Sequence, residues 1–201
     1  MNILFEDDNI IVAVKPAGFS SEKSGCENMP GALQKINGEE VYTVHRLDRE
    51  TSGVMVYAKT KSAAAVLSKQ LAEGGFDKIY LARIHGCPQE SEGIFEDLLF
   101  HDKNKNKSYA VKRERAGVKK AKLAYTVKEK NDDNSLVSIK LYTGRTHQIR
   151  VQFASRGMPL FGDRKYGAKD SCPLALRCVY LGFKHPVTGD YISYSLNSDG
   201  I

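Results

Sequence analysis

The 201-residue sequence holds only four cysteines, Cys26, Cys87, Cys172 and Cys178, and no CxxC pair among them. That spacing excludes a disulfide framework and the usual structural zinc sites, and it fits a reducing, cytoplasmic setting. No metal and no other cofactor is implied. Long apolar runs are also missing, since no stretch approaches the roughly 20 residues that cross a bilayer. The opening MNILFEDDNIIVAVKPAG places acid where a signal peptide needs base. No membrane partner is expected. Internal repeats and low-complexity segments are absent as well, which excludes a repeat array.

What is present points to one well-packed domain spanning 1–201, with an ordinary hydrophobic fraction of 41%. Thirty Lys plus Arg against 24 Asp plus Glu leave a formal net charge of +6. A positive summed field attracts and steers polyanions, nucleic acid above all.

The stretch that organises the chain is HRLDRETSG, residues 45–53, running into the apolar VMVYA. Its centre is Asp48, flanked by Arg46 and Arg49. Nearby positive charge favours the ionised carboxylate, so Asp48 is a candidate nucleophile rather than a proton donor. By local pattern alone the stretch reads first as a solvated connection of mixed charge. Any stronger reading has to come from the rest of the chain.

Taken in order, residues 9–14 read as a strand closed by the turn Lys15-Pro16-Ala17-Gly18, which sets Lys15 at a loop mouth. Residues 19–40 show no sustained period and read as a surface loop with at most a short helix. Gly53 to Lys59 is a strand, and KSAAAVLSKQLAEGG a helix capped at Thr60 or Ser62 and ended at Gly74-Gly75. DKIYLARIHG alternates imperfectly as a strand whose Tyr80 faces away from Ile79 and Leu81, either as core or as a ring offered to a base. The basic segment 101–127 reads as a solvated hairpin or a phosphate-tracking face, with Tyr109 as a stacking ring and Lys119 and Lys120 as RNA-binding candidates. Strands fit 119–127 and 136–141, joined at Asn131-Asp132-Asp133-Asn134, which makes a meander rather than a βαβ array. In TGRTHQIRVQFASRG, Gly144 allows a sharp turn, Thr146 caps a helix and Gly157 stops it. Arg145 falls at the turn, exposed or aimed at an anion. The remainder reads as a loop, a buried apolar segment and a hairpin turned at Pro186 to Gly189.

Several separated blocks, HRLDRETSG, KIYLARIHG, TGRTHQIRVQFA, GDRKYG and FKHPVTG, together with DDNIIVAVKPAG, resemble the RluA-type pseudouridine synthases in order and spacing. The resemblance covers nearly the whole chain. It implies an α+β fold, a mixed, mainly antiparallel sheet flanked by helices with a central basic cleft. One departure is plain: where many members read LxLHA, this chain has Leu174-Ala175-Leu176-Arg177-Cys178, so the roles of Arg177 and Cys178 stay open. The KPAG block begins by residue 15, so no extra N-terminal RNA-binding module is expected and the catalytic domain selects its own substrate.

The reaction that the resemblance implies is isomerisation of uridine within RNA to pseudouridine. It makes Asp48 the catalytic carboxylate, attacking sugar or base or stabilising positive charge. Arg145 becomes its cation and Tyr80 the ring over an extruded uracil. Arg46 either fills the vacated space or grips a phosphate, and Lys15, Arg49 and Arg150 are further RNA contacts, Arg150 alternatively serving the local fold. His45 holds the loop through a backbone hydrogen bond. Extruding a base costs least in loops, which favours a stem-loop of ribosomal or transfer RNA. A monomer is expected. Two rivals stand beside this reading: a non-catalytic RNA-binding or chaperone protein, and a glycoside-cleaving enzyme. The second calls for two carboxylates at a set separation, and only Asp48 stands out in a motif.

Overall fold

Turn and cap chemistry account for most of the element boundaries in the computed structural model, which describes residues 1–197. In chain order the elements are β1 (Asn2–Glu6), β2 (Ile10–Lys15), α1 (Met29–Asn37), β3 (Tyr42–Thr43), β4 (Ser52–Ala58) and α2 (Lys61–Ala72). There follow β5 (Asp77–His85), β6 (Glu92–Asp102), β7 (Lys107–Val111), β8 (Val118–Lys130), β9 (Asn134–Leu141), α3 (Gln148–Ala154), a 3-10 turn (Arg164–Tyr166), β10 (Leu176–Lys184) and β11 (Tyr191–Ser195). The result is the expected α+β, mainly antiparallel architecture. Contacts gather the described residues into two units, 1–78 with 178–197, and 79–177.

In the first unit the strand order is β1-β2-β4-β10, with β3 also on β4 and β11 on β10. β2 and β4 pair antiparallel from Ile10 opposite Ala58 to Lys15 opposite Gly53. One face of this pair, Ile10, Val12, Val54, Val56 and Ala58, packs on Ala63 and Leu67 of α2 and on Phe76, Leu181 and Phe183. The other face, Ile11, Ala13, Met55 and Tyr57, is buried as well. Burial on both sides explains why IIVAV and VMVYA are unbroken apolar runs rather than alternating ones. α2 starts where Thr60 Oγ1 accepts the Ala63 N–H at 3.1 Å. α1, the short helix inside 19–40, starts where Asn28 Oδ1 accepts the Gly31 N–H at 2.8 Å and stops at Gly38, whose φ of +80° suits a residue without Cβ.

The second unit orders its strands β5-β9-β8-β6-β7, each neighbouring pair antiparallel. α3 covers one face, with Phe153 against Phe95 and Tyr125 and Val151 against Leu99 and Ala121. The other face carries exposed groups such as Lys120, Ile94 and Tyr142, and β8 alternates accordingly. β6 was not legible in the sequence because its inward face is interrupted. Asp97 stands between Phe95 and Leu99 and is satisfied by Gln152 Nε2 at 2.7 Å and by Arg156 at 2.9 Å.

The cap of α3 departs from the sequence reading. Thr146 does not cap it: the position falls to His147, in the left-handed region at φ +54° with no side-chain cap bond. Gln148 organises the turn instead, its Oε1 accepting from Arg145 N–H at 3.0 Å and Thr143 Oγ1–H at 2.8 Å. Gly144 meets open space and has no positive φ, so its freedom is not what makes the turn. The final hairpin forms as expected, closed by His185 N–H to Asp190 O at 2.8 Å.

Candidate active site

The HRLDRETSG loop is braced from beneath by buried polar groups of its own unit. His45 is buried, and its Nε2 accepts the Val56 N–H at 3.1 Å while its ring meets the edge of Phe76. Burial first, and the Lys78 charge second, hold its pKa well below the usual imidazole value, so it stays neutral. Two residues on, Leu47 N–H donates to Ser21 Oγ at 3.0 Å and Ser21 Oγ–H returns to Leu47 O at 2.8 Å. Asp48 O accepts the Thr51 N–H at 3.0 Å, closing the turn that presents the carboxylate.

Lys15 lies elsewhere than the sequence suggested. It is fully buried rather than displayed at a loop mouth, and its ammonium donates to Phe19 O at 2.7 Å and to Pro16 O and Arg49 O at 3.0 Å. A cation with all three protons spent on carbonyls is not offered to RNA phosphates. Its desolvation draws its pKa down to about 8, against which the charges of Glu50 and Asp48 act. The structure thus sets a buried cation within electrostatic reach of Asp48, a pairing that no local pattern shows. Arg46 and Arg49 are exposed and reach Glu22 at 3.3 Å and Glu27 at 4.0 Å, while Arg49 Nε donates to Gly18 O at 2.7 Å.

Gly53 ends the loop at φ +134°, and a Cβ there would stand 2.3 Å from Cys178 O. Only glycine lets β4 run this close to β10, which is why TSG follows HRLD. Cys178, where the family pattern is broken, is buried, and it is its backbone that presses on Gly53.

In the second unit Tyr80 is buried on β5 opposite Ile139, on the sheet face that also holds Tyr125. Arg145 is half-buried, its Nε donating to Lys120 O at 2.9 Å. Lys119 and Lys120 are exposed on β8, Lys120 Nζ standing 3.6 Å from Glu114. Tyr109 is exposed with Lys107 Nζ 5.7 Å from its ring centroid. Arg150 serves the fold: it is buried, and its Nε and Nη2 grip Asp163 at 2.7 Å each. Its alternative reading as a phosphate contact does not fit that burial. Sequence reasoning missed the Asp163 partner, although the GDRKYG block that carries it was in view.

Comparison with known proteins agrees with this architecture. Residues 9–155 match the family model described as RNA pseudouridylate synthase. The chain is 34% identical over 205 residues to the dual-specificity RNA pseudouridine synthase RluA of Escherichia coli, covering 98% of this chain and 93% of that protein. It is 33% identical to an uncharacterised RNA pseudouridine synthase of Aquifex aeolicus, covering 98% and 69%. Among solved structures, human RNA pseudouridylate synthase domain containing 4 superposes with a TM-score of 0.82 at 25% identity, covering 98% of this chain and 88% of that one. The fold is therefore that of the pseudouridylate synthase domains. The chain belongs to the RNA pseudouridine synthase family, in its RluA-type branch, and is an isomerase acting on RNA.

Proposed function

We propose that Asp48 carries the isomerisation, and that the target is a uridine in a stem-loop of ribosomal or transfer RNA. The N1–C1′ bond breaks, the uracil turns, and C5 bonds to C1′ while C5 gives up its proton and N1 gains one. Whether the carboxylate attacks or steadies positive charge on the sugar, it has to be ionised. The observation that carries this reading is the setting of the Asp48 turn: it is pinned by Ser21 and His45 and lies in the field of the buried Lys15 ammonium.

On the pattern of the family motifs, Tyr80 supplies the ring on which the extruded uracil stacks, and Arg145 the guanidinium that favours the charged carboxylate. Arg46, Arg49, Lys119 and Lys120 meet phosphates or the vacated stack, and their exposure supports that role. The 201 residues work as one catalytic domain, a monomer in the cytoplasm.

The test is incubation of the purified protein with total RNA from a strain lacking it, followed by mapping of pseudouridine by carbodiimide and primer extension. New stops with wild type that vanish with Asp48→Ala are the expected outcome. Stops that survive Asp48→Ala would remove the aspartate from the chemistry. Binding without any new stop would favour the chaperone reading.

A further inference from the structure

The GDRKYG block marks the family but takes no part in the chemistry above. Its Tyr166 ends the 3-10 turn, and its hydroxyl receives the Ser108 N–H at 2.8 Å and lies 3.0 Å from His147 Nδ1. Burial above all pushes this phenol up to about 12, so it keeps its proton at any working pH. The hydroxyl and His147 Nδ1 share a hydrogen bond whose direction follows the imidazole tautomer.

That bond falls on a strained residue. His147 holds φ +54° without being glycine, a conformation that costs on the order of 1 kcal/mol and persists only when neighbours enforce it. A second tie holds the adjacent residue: Ser108 Oγ donates to Thr146 O at 2.6 Å and stands 3.2 Å from His101 Nδ1. Residues 146 and 147 are therefore fastened to β7 and to Tyr166. Arg145 comes directly before them, with its own N–H on Gln148 Oε1 and its Nε on Lys120 O.

We propose that Tyr166 is a positioning residue: its hydroxyl holds the 143–147 turn so that the Arg145 guanidinium is presented in the geometry that turnover requires. This rests on the reading of Arg145 as part of the catalytic machinery. The block GDRKYG accompanies RTHQIR because one buttresses the other, through Tyr166 to His147 and Asp163 to Arg150.

Tyr166→Phe keeps the ring and removes only the hydroxyl. In single-turnover assays on the RNA substrate it should lower kcat about ten- to a hundredfold, the penalty of a small misplacement. KM should stay within about twofold, because no RNA contact is lost. Ser108→Ala, which cuts the tie to Thr146, should lower kcat in the same direction and answers the question if Tyr166→Phe does not fold. In an Arg145→Lys background, adding Tyr166→Phe should cost much less than it does alone. Wild-type kcat for either single variant, or an equal fold-loss in both backgrounds, overturns the proposal. Wild-type turnover by Arg145→Ala is a different result, and it removes the reading of Arg145 on which the proposal stands.

Discussion

Asp163→Ala tests whether Arg150 is bound to the fold rather than to RNA. Arg150 and Asp163 form a two-pronged ion pair with both bonds at 2.7 Å, and their side chains are 5% and 0% exposed. Deleting the carboxylate removes the charge that both of these bonds reach, and breaking a buried pair in this way costs about 3–5 kcal/mol. The Tyr166 ring, 5.3 Å from the Arg150 guanidinium, compensates in part and places the expectation at the lower end. For a chain of this size each kcal/mol moves the melting temperature by about 2–4 °C, so a drop of roughly 6–12 °C follows. Urea and thermal denaturation read it directly. Replacing both partners with apolar residues, Arg150→Met with Asp163→Leu, should recover most of the loss, because the two charges leave together. An Asp163→Ala variant within about 1 kcal/mol of wild type would refute the reasoning. So would loss of RNA affinity by the folded, stable double variant.

Gly53→Ala should cost about 2–4 kcal/mol in urea titration, since it combines left-handed strain with a Cβ 2.3 Å from Cys178 O, whereas Gly144→Ala, which meets nothing within 4 Å, should cost under about 1 kcal/mol. Equal effects at the two glycines would contradict the close approach of β4 and β10. Acidification tests His45. The folded state keeps this imidazole neutral where the unfolded chain protonates it, so below about pH 6.5 the unfolded state takes up more protons and stability falls as pH falls. The slope should approach about 1.4 kcal/mol per pH unit, and His45→Gln should remove most of it. A wild type whose stability is flat from pH 7 to 5 would show that His45 titrates normally.

The β2 and β4 runs, the Thr60 cap, the Asn131–Asn134 turn and the closing hairpin were legible because each is written in neighbouring residues: apolar periodicity, a side chain that caps, a sequence that turns. Asp48 stood out as a candidate only through blocks that lie far apart in the chain. β6 was hidden because Asp97 points inward, and it does so because Gln152 of α3 and Arg156 just beyond its end meet it.

The fate of each charged or polar side chain was what tertiary structure decided. Lys15 and Arg150 read as cations available to a phosphate, yet one is consumed by three carbonyls and the other by Asp163. Thr146 has the chemistry of a cap, yet the left-handed His147 takes the position, held there by Tyr166. Sequence by itself determined where most strands and helices run and singled out Asp48 as the candidate carboxylate, the first from local pattern and the second from separated motifs. Burial and pairing depend on which atoms arrive from elsewhere in the chain, and only the folded arrangement brings those atoms together.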